Sequence, residues 1–352
     1  VADQQPDAIA EANAFCEGYK AFLNAAKTER EAAAYSEQLL KQAGYKPFVP
    51  GMALNAGDKV YLINRSKCVL AATIGERSMA EGFHLNIAHI DSPRLDLRPV
   101  PLFEKDGLAY FRTHYYGGIK KYQWVTLPLA LHGVIAKKDG TVVKVSVGDK
   151  PGDPVFGVSD LLIHLSGEQM EKKAAKVIEG ENLDLIIGSI PAEADEKDDV
   201  KEKVKANIMK ILAKEYDIEE EDFLSAEIEV VPAGEARDYG FDRSMIMGYG
   251  HDDRVCAYPS FEAIAAMEKP EITSVCLLVD KEEIGSTGAS GMTSRFFENA
   301  VAEYVLLNEG VEYNDIVLRR TLANSKMLSS DVSAGFDPMY EDCLLYTSDA
   351  AD

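Results

Sequence analysis

The sequence predicts an α/β protein in which a central mixed sheet flanked by helices is interrupted by an inserted β-rich domain. Three observations carry this. Residues 1–94 pass from a helical stretch into short apolar strand-type runs. Residues 95–232 change texture, to strands separated by Gly-Gly and Asp-Gly turns. From residue 233 helix- and strand-type segments alternate again, as far as residue 342. That order describes a discontinuous outer domain, 1–94 and 233–342, split by an insertion at 95–232. The length of 352 residues suits roughly two domains of about 150 residues each.

The elements follow in order. Asp7 to Ala43 is rich in Ala, Glu, Lys and Leu, with Phe15, Tyr19, Phe22 and Leu23 on one helical stripe and Gly44 as a stop. VYLIN, CVLAATIG and FHLNIAHI are strand-type runs, the last with few charges, as in a buried central strand. LAYFRTHYYGG, WVTLPLALHGVIA and TVVKVSV read as strands of the insertion, and SDLLIHLSGEQMEKKA as helical. AEADEKDD is a charge run expected to be a solvated loop. Val200 to Tyr216 is an amphipathic helix with Val204, Ile208, Ile211 and Leu212 on its apolar face. RVCAYPSFEAIAAM and GMTSRFFENAVAEYVL are helices, and SVCLLVD between them is a buried strand. No internal repeat is present.

Composition narrows the function. A net charge of −22 repels phosphate backbones, so nucleic acid is not an expected partner. No run approaches the roughly 18 consecutive apolar residues of a membrane span. The five cysteines are scattered without a CxxC pair, and the first residues are acidic with no basic stretch. The expectation is reduced thiols and a cytoplasmic protein, with neither a disulfide framework nor a cysteine zinc site.

Four polar clusters lie at or near predicted strand ends, where open α/β sheets carry their sites. AHIDSP holds His89 and Asp91, two apart and therefore on one side of the pleat. The imidazole can ligate a metal and the carboxylate can orient it. GHDDR holds Asp252 and Asp253, which could also cap the following helix. VDKEEIGS places Glu282 and Glu283 directly after an apolar strand. One of these adjacent carboxylates can bind metal while the other holds an attacking water. SSDVSAGFDPMY holds Asp331, where an Asx turn is the plain alternative. Each cluster is weak by itself. Together they supply imidazole and carboxylate ligands without any cysteine, the donor set of a two-metal hydrolase.

The order His-x-Asp, Asp-Asp, Glu-Glu-x-Gly, Asp is also that of co-catalytic zinc aminopeptidases. Through AHIDSPRLDLRP, GHDDRVCAY, DKEEIGSTGASGM and SSDVSAGFDPMY the chain resembles metallopeptidase family eighteen, the aspartyl aminopeptidase family, in its bacterial branch. The likeness runs from FCEGYKAFL to about Asp342. It implies a zinc-peptidase-like catalytic domain interrupted by an oligomerisation domain, and a metal-dependent aminopeptidase acting on peptides with a free N-terminus. It implies two divalent ions, zinc first, with cobalt or manganese as alternatives. His89 would ligate one ion with Asp91 in support, Asp252 would bridge both, Glu283 would be a terminal ligand, and Asp331 would serve the other ion. Glu282 would be the general base. The family also implies a homo-oligomer, a dodecamer, in which His164 of the LLIHL segment reaches a neighbouring subunit's active site.

The ion assigned to Asp331 normally has a further histidine near the C-terminus, and none of the six histidines here lies after Asp331. The last residues, CLLYTSDAAD from Cys343 to Asp352, match the peptide encoded by a transposase adapter used in sequencing libraries. The expectation is therefore a non-native tail at 343–352, a natural chain continuing past Asp342, and a defective enzyme as written. A related zinc carboxypeptidase or deacylase would use much the same ligands. A glycosidase, with carboxyls about 5 Å or more apart, lacks support from sugar-stacking aromatics, since Trp124 is the only tryptophan. A non-catalytic assembly protein would not need the metal-type set.

Overall fold

The structure is a computed structural model and describes residues 6–193, 201–308 and 313–341. Most of the AEADEKDD run and the tail from Cys343 lie outside the described residues. The chain divides into two compact units, residues 1–91 with 250–352, and residues 92–249. The return to the first unit therefore comes at Gly250 and not at residue 233. The segment between carries a two-stranded hairpin, Arg237–Tyr239 with Met245–Met247, which belongs to the second unit.

The first unit is built on a six-stranded mixed sheet in the order Lys46–Pro47, Lys59–Asn64, Cys68–Thr73, Ser274–Val279, His84–His89, Lys326–Ser329. Cys68–Thr73 and Ser274–Val279 are buried at every residue. That burial on both faces is why each reads as an unbroken apolar run and not as an alternation. Ser274–Val279 and His84–His89 run parallel with Val279 opposite His89, and Lys326–Ser329 joins in parallel with Ser329 opposite Ile87. Three strands thus end on the same side, and the residues following them emerge together. The core beneath includes Leu70, Ile74, Met79, Leu277, Val301 and Tyr304.

The N-terminal helical stretch is two helices, Pro6–Ala25 and Glu29–Gln42. Thr28 makes the break: its hydroxyl accepts from the Glu31 N–H, and the Glu31 carboxylate accepts from the Thr28 N–H. Tyr19, Phe22 and Leu23 are buried as the stripe requires, whereas Phe15 is exposed with its ring 5.1 Å from that of Tyr258. Helix His251–Ala265 packs against the sheet, and Asp252 and Asp253 at its start have non-helical backbone angles. Helix Phe296–Leu307 starts later than GMTSRFF suggests.

The second unit has a seven-stranded antiparallel sheet in the order Val142–Val147, Leu129–Ala136, Ala226–Pro232, Arg94–Lys105, Leu108–Tyr116, Leu185–Gly188, Gly157–Val158. Its core holds Leu95, Phe111, Leu129, Leu183, Ile228 and Val230. The amphipathic helix is Lys203–Tyr216. Two expectations are corrected. SDLLIHLSGEQMEKKA is a broken series, a 3-10 turn Ile163–Leu165 and short helices Gly167–Met170 and Ala174–Val177. Leu161 to Leu165 are all exposed, so no core among the described residues holds them in a regular helix. Trp124 ends a short helix, Lys121–Trp124, and the strand begins only at Leu129, after Pro128. No described helix is long and apolar enough to cross a membrane.

Candidate metal centre at the strand ends

His89 is the last residue of its strand and is only 3% exposed. Its Nδ1 lies 3.0 Å from the Asp91 carbonyl oxygen and 3.3 Å from Asp91 Oδ1. This side of the ring is taken up by its own chain, which leaves Nε2 to face the carboxylates. Nε2 is 3.1 Å from Asp252 Oδ1, 3.7 Å from Glu282 Oε2 and 3.8 Å from Asp331 Oδ1. Two donors each about 2.0–2.2 Å from one tetrahedral zinc ion sit roughly 3.3 Å apart, so these separations bracket what a shared ion requires.

Asp91 is fully buried and acts as a strap. Its Oδ1 accepts the backbone N–H of Glu282 at 3.2 Å, and its Oδ2 that of Glu283 at 3.3 Å. A carboxylate at the first N–H groups of a helical turn is favourably placed for both hydrogen bonding and the local dipole. Beyond the turn, the loop closes through Ser290, whose hydroxyl donates to Asp280 Oδ2 at 2.5 Å. Gly291 permits the crossing, since a Cβ there would lie 2.1 Å from the Ser286 carbonyl oxygen. Asp331 follows Ser330, whose N–H still donates to Ile87 in the sheet at 2.8 Å. Tyr19 and His251 Nδ1, 2.8 Å apart, connect the first helix to the start of the Asp252 helix.

Among the described residues of this unit, donor atoms within 4.8 Å of one another form three sets: His89, Glu282 and Asp331; His89, Asp252 and Glu283; and Asp252, Asp253 and Asp331. All the site residues expected from the outer domain therefore converge. Both glutamates lie within ligating reach. Asp331 Oδ1 lies 3.8 Å from His89 Nε2, so the two can share an ion, and it also lies with Asp252 and Asp253 in the third set. Asp253, given no role by sequence reasoning, joins the third set; its only signal was the doubled aspartate. His164 is in the other unit, exposed on the Ile163–Leu165 turn.

The electrostatics match a cation site. Burial pushes Glu283 up to about 7, with the charge of Asp252 adding to it. Burial likewise raises Asp253 to about 6 and raises Glu282, and in both cases Asp331 adds while His89 opposes. For His89, burial works against the charged ring, but Asp91, Asp253 and Asp252 outweigh it and raise the imidazole to about 9. The carboxylates are crowded enough to retain protons, a repulsion that a divalent ion relieves. Cys256 adds no thiolate, because burial and then Asp253 hold its thiol up at about 12. An imidazole with several carboxylates fits zinc, manganese or cobalt.

Carboxylates and one imidazole at the parallel strand ends of an α/β sheet define a metal-dependent hydrolase. The family model described as aminopeptidase I zinc metalloprotease (M18) matches residues 22–350. A probable M18 family aminopeptidase 1 of Clostridium acetobutylicum is 58% identical over 92% of this chain and 69% of its own length. The crystal structure of an M18 aminopeptidase from Thermotoga maritima is similar at a TM-score of 0.89 and 43% identity, covering 95% of this chain and 72% of that one. The crystal structure of aminopeptidase I from Clostridium acetobutylicum gives 0.82 at 55% identity, covering 92% and 70%. The chain belongs to the M18 family and is a metal-dependent aminopeptidase.

Proposed function

We propose that the centre takes two divalent ions, zinc in the first instance, and that Asp252 would serve both. His89, Asp252, Glu283 and Asp331 would be the ligands, His89 and Asp331 serving one ion and Glu283 the other. The observation that carries this is the convergence of the donor atoms around His89 Nε2 and Asp252 Oδ1. When bound, such ions supply Lewis acidity and bring the pKa of a shared water towards neutrality.

The chain's own groups do the rest. Asp91 fixes the His89 ring and the Glu282–Glu283 turn. Glu282, half exposed beside the ligands, takes the proton of the attacking water and returns it to the leaving amine. The crowded carboxylates recognise the substrate's free ammonium group, which restricts cleavage to N-terminal residues. His164, exposed on the second unit, stabilises the developing oxyanion in a neighbouring copy of a homo-oligomer. The unpaired described cysteines suit a cytoplasmic protein.

The test is calorimetric. Metal-stripped protein should bind two zinc ions, and an amino-acid hydroxamate with a free amine should bind only after zinc. The N-acetylated hydroxamate should bind much more weakly. A single ion per chain, or equal affinity for both hydroxamates, would overturn the reading.

A further inference from the structure

We propose that Arg254 is a positioning residue of the metal centre: its buried guanidinium ties the start of the Asp252–Asp253 helix to the peptide that joins His89 to Asp91. The inference rests on the reading of His89 and Asp252 as metal ligands.

Arg254 is 0% exposed and is among the largest fully buried side chains of the chain. Arginine is rarely buried to this degree unless its donors are used. Here Nη2 donates to the carbonyl oxygen of Ile90 at 3.2 Å and to that of Lys27, also at 3.2 Å. Ile90 is the residue between His89 and Asp91. Its own N–H donates to Val279 at 2.8 Å, so the residue is held by the sheet through its N–H and by the guanidinium through its carbonyl. Lys27 lies in the break between the first two helices.

The guanidinium therefore joins three pieces of chain: the helix carrying Asp252, the strand end carrying His89, and the helical break that packs beneath. Gly250 leaves it room. A Cβ at residue 250 would sit 1.7 Å from Nη1, and the glycine's φ of +86° is one that other residues seldom adopt. One nitrogen of the planar guanidinium, Nη2, reaches both carbonyls on separate elements, in an orientation fixed by the plane of the group, whereas an ammonium acts as a compact point charge. The 3.1 Å separation of His89 Nε2 from Asp252 Oδ1 is the distance this anchor sets.

The test compares metal-stripped wild type with Arg254→Lys. Zinc affinity is read by competition with a chromophoric chelator, and the fold by thermal unfolding without metal. The expected result is a 10- to 100-fold loss of zinc affinity, of the size seen when groups orienting a ligand are removed, beyond whatever fall the metal-free unfolding midpoint shows. A lowered midpoint with wild-type zinc affinity shows a merely structural role and overturns the proposal, as does no change in either. His89→Gln in the presence of Arg254 is the control: if it leaves zinc binding intact, the ligand assignment has failed and not the anchor. Should Arg254→Lys not fold, Arg254→Ala is refolded with and without millimolar guanidinium. Recovery of fold and zinc affinity together supports the anchor; recovery of fold alone, or of neither, overturns it.

Discussion

Asp91 Oδ2 accepts the backbone N–H of Glu283 at 3.3 Å, while Oδ1 of the same carboxylate lies 3.3 Å from His89 Nδ1. One buried side chain thus sets the relative placement of an imidazole from one strand and the glutamates that follow another. Replacing it with asparagine puts an NH2 group where an acceptor is needed, so one of the N–H groups of the glutamate turn loses its partner. Asp91→Asn is expected to lower zinc affinity by about 10–100-fold and to leave the secondary structure intact. Chelator competition and circular dichroism together check this.

The two glutamates are expected to separate in function. Glu282→Gln removes a base and keeps an amide of the same shape, so turnover should fall by about 10²–10⁴-fold with metal content unchanged. Glu283→Gln removes a ligand and should lower metal content first. Measuring zinc per chain alongside the rate of peptide cleavage distinguishes them, and loss of metal from Glu282→Gln would reverse the assignment.

The outer domain was legible because its chemistry follows strand ends. His89, Glu282, Glu283 and Asp331 each stand just beyond a short apolar run, and parallel pairing brings such positions together. Asp253 and Arg254 were not legible as site residues, because their roles depend on contacts between segments far apart in sequence, such as Arg254 with Lys27. The insertion was harder. Arg94–Lys105 does not read as a strand, since Pro99 and Pro101 cannot donate to a ladder. Both fall within the register shift between Leu97 and Leu102, where no donor is required. The boundary at Gly250 does not show in the sequence, because the hairpin Arg237–Tyr239 with Met245–Met247 has strands of only three residues, too short to form a pattern.

Metal uptake should depend steeply on pH. Without metal, Glu283 carries a proton below about 7, Asp253 below about 6 and His89 below about 9. An ion must displace these protons, so affinity should rise with pH between about 6 and 9, and binding should release protons. Glu283 and Asp253, raised above their unfolded values, contribute stability to the metal-free protein that declines as pH rises towards 6–7. The contribution of His89 is full below its unfolded value near 6.5 and is lost through about 9. Zinc titrations in buffers of different ionisation enthalpy count the protons. A pH-independent affinity would show that these groups do not meet the ion.

Tyr304 offers a test of the core. It is fully buried in helix Phe296–Leu307, its ring packs edge-on to Phe48 at 4.9 Å, and its hydroxyl has no hydrogen-bond partner among the described residues. An unsatisfied buried hydroxyl costs about 1–3 kcal/mol. Tyr304→Phe keeps the ring contact and removes that cost, so it should stabilise the protein by about 1 kcal/mol or more, seen as a higher midpoint in denaturant with an unchanged slope.

Strand Lys326–Ser329 is the outer strand of the six-stranded sheet, and all four of its residues are exposed. Met327 and Leu328, on opposite faces of it, are 62% and 63% exposed. An outer strand whose far edge has no pairing strand among the described residues, with apolar side chains on both faces, is a template for pairing with another chain. The natural safeguards, a proline or an inward-pointing charge, are absent from KMLS, and Lys326 is its one charged residue. Self-association should therefore run through this edge. Leu328→Lys places a charge on the strand without touching the ligands, and it should lower the concentration-dependent light scattering of the isolated chain while zinc affinity stays within about twofold. The same substitution at Leu224, equally exposed but in the second unit, is the control. If both substitutions reduce scattering alike, general surface apolarity and not the strand edge drives association.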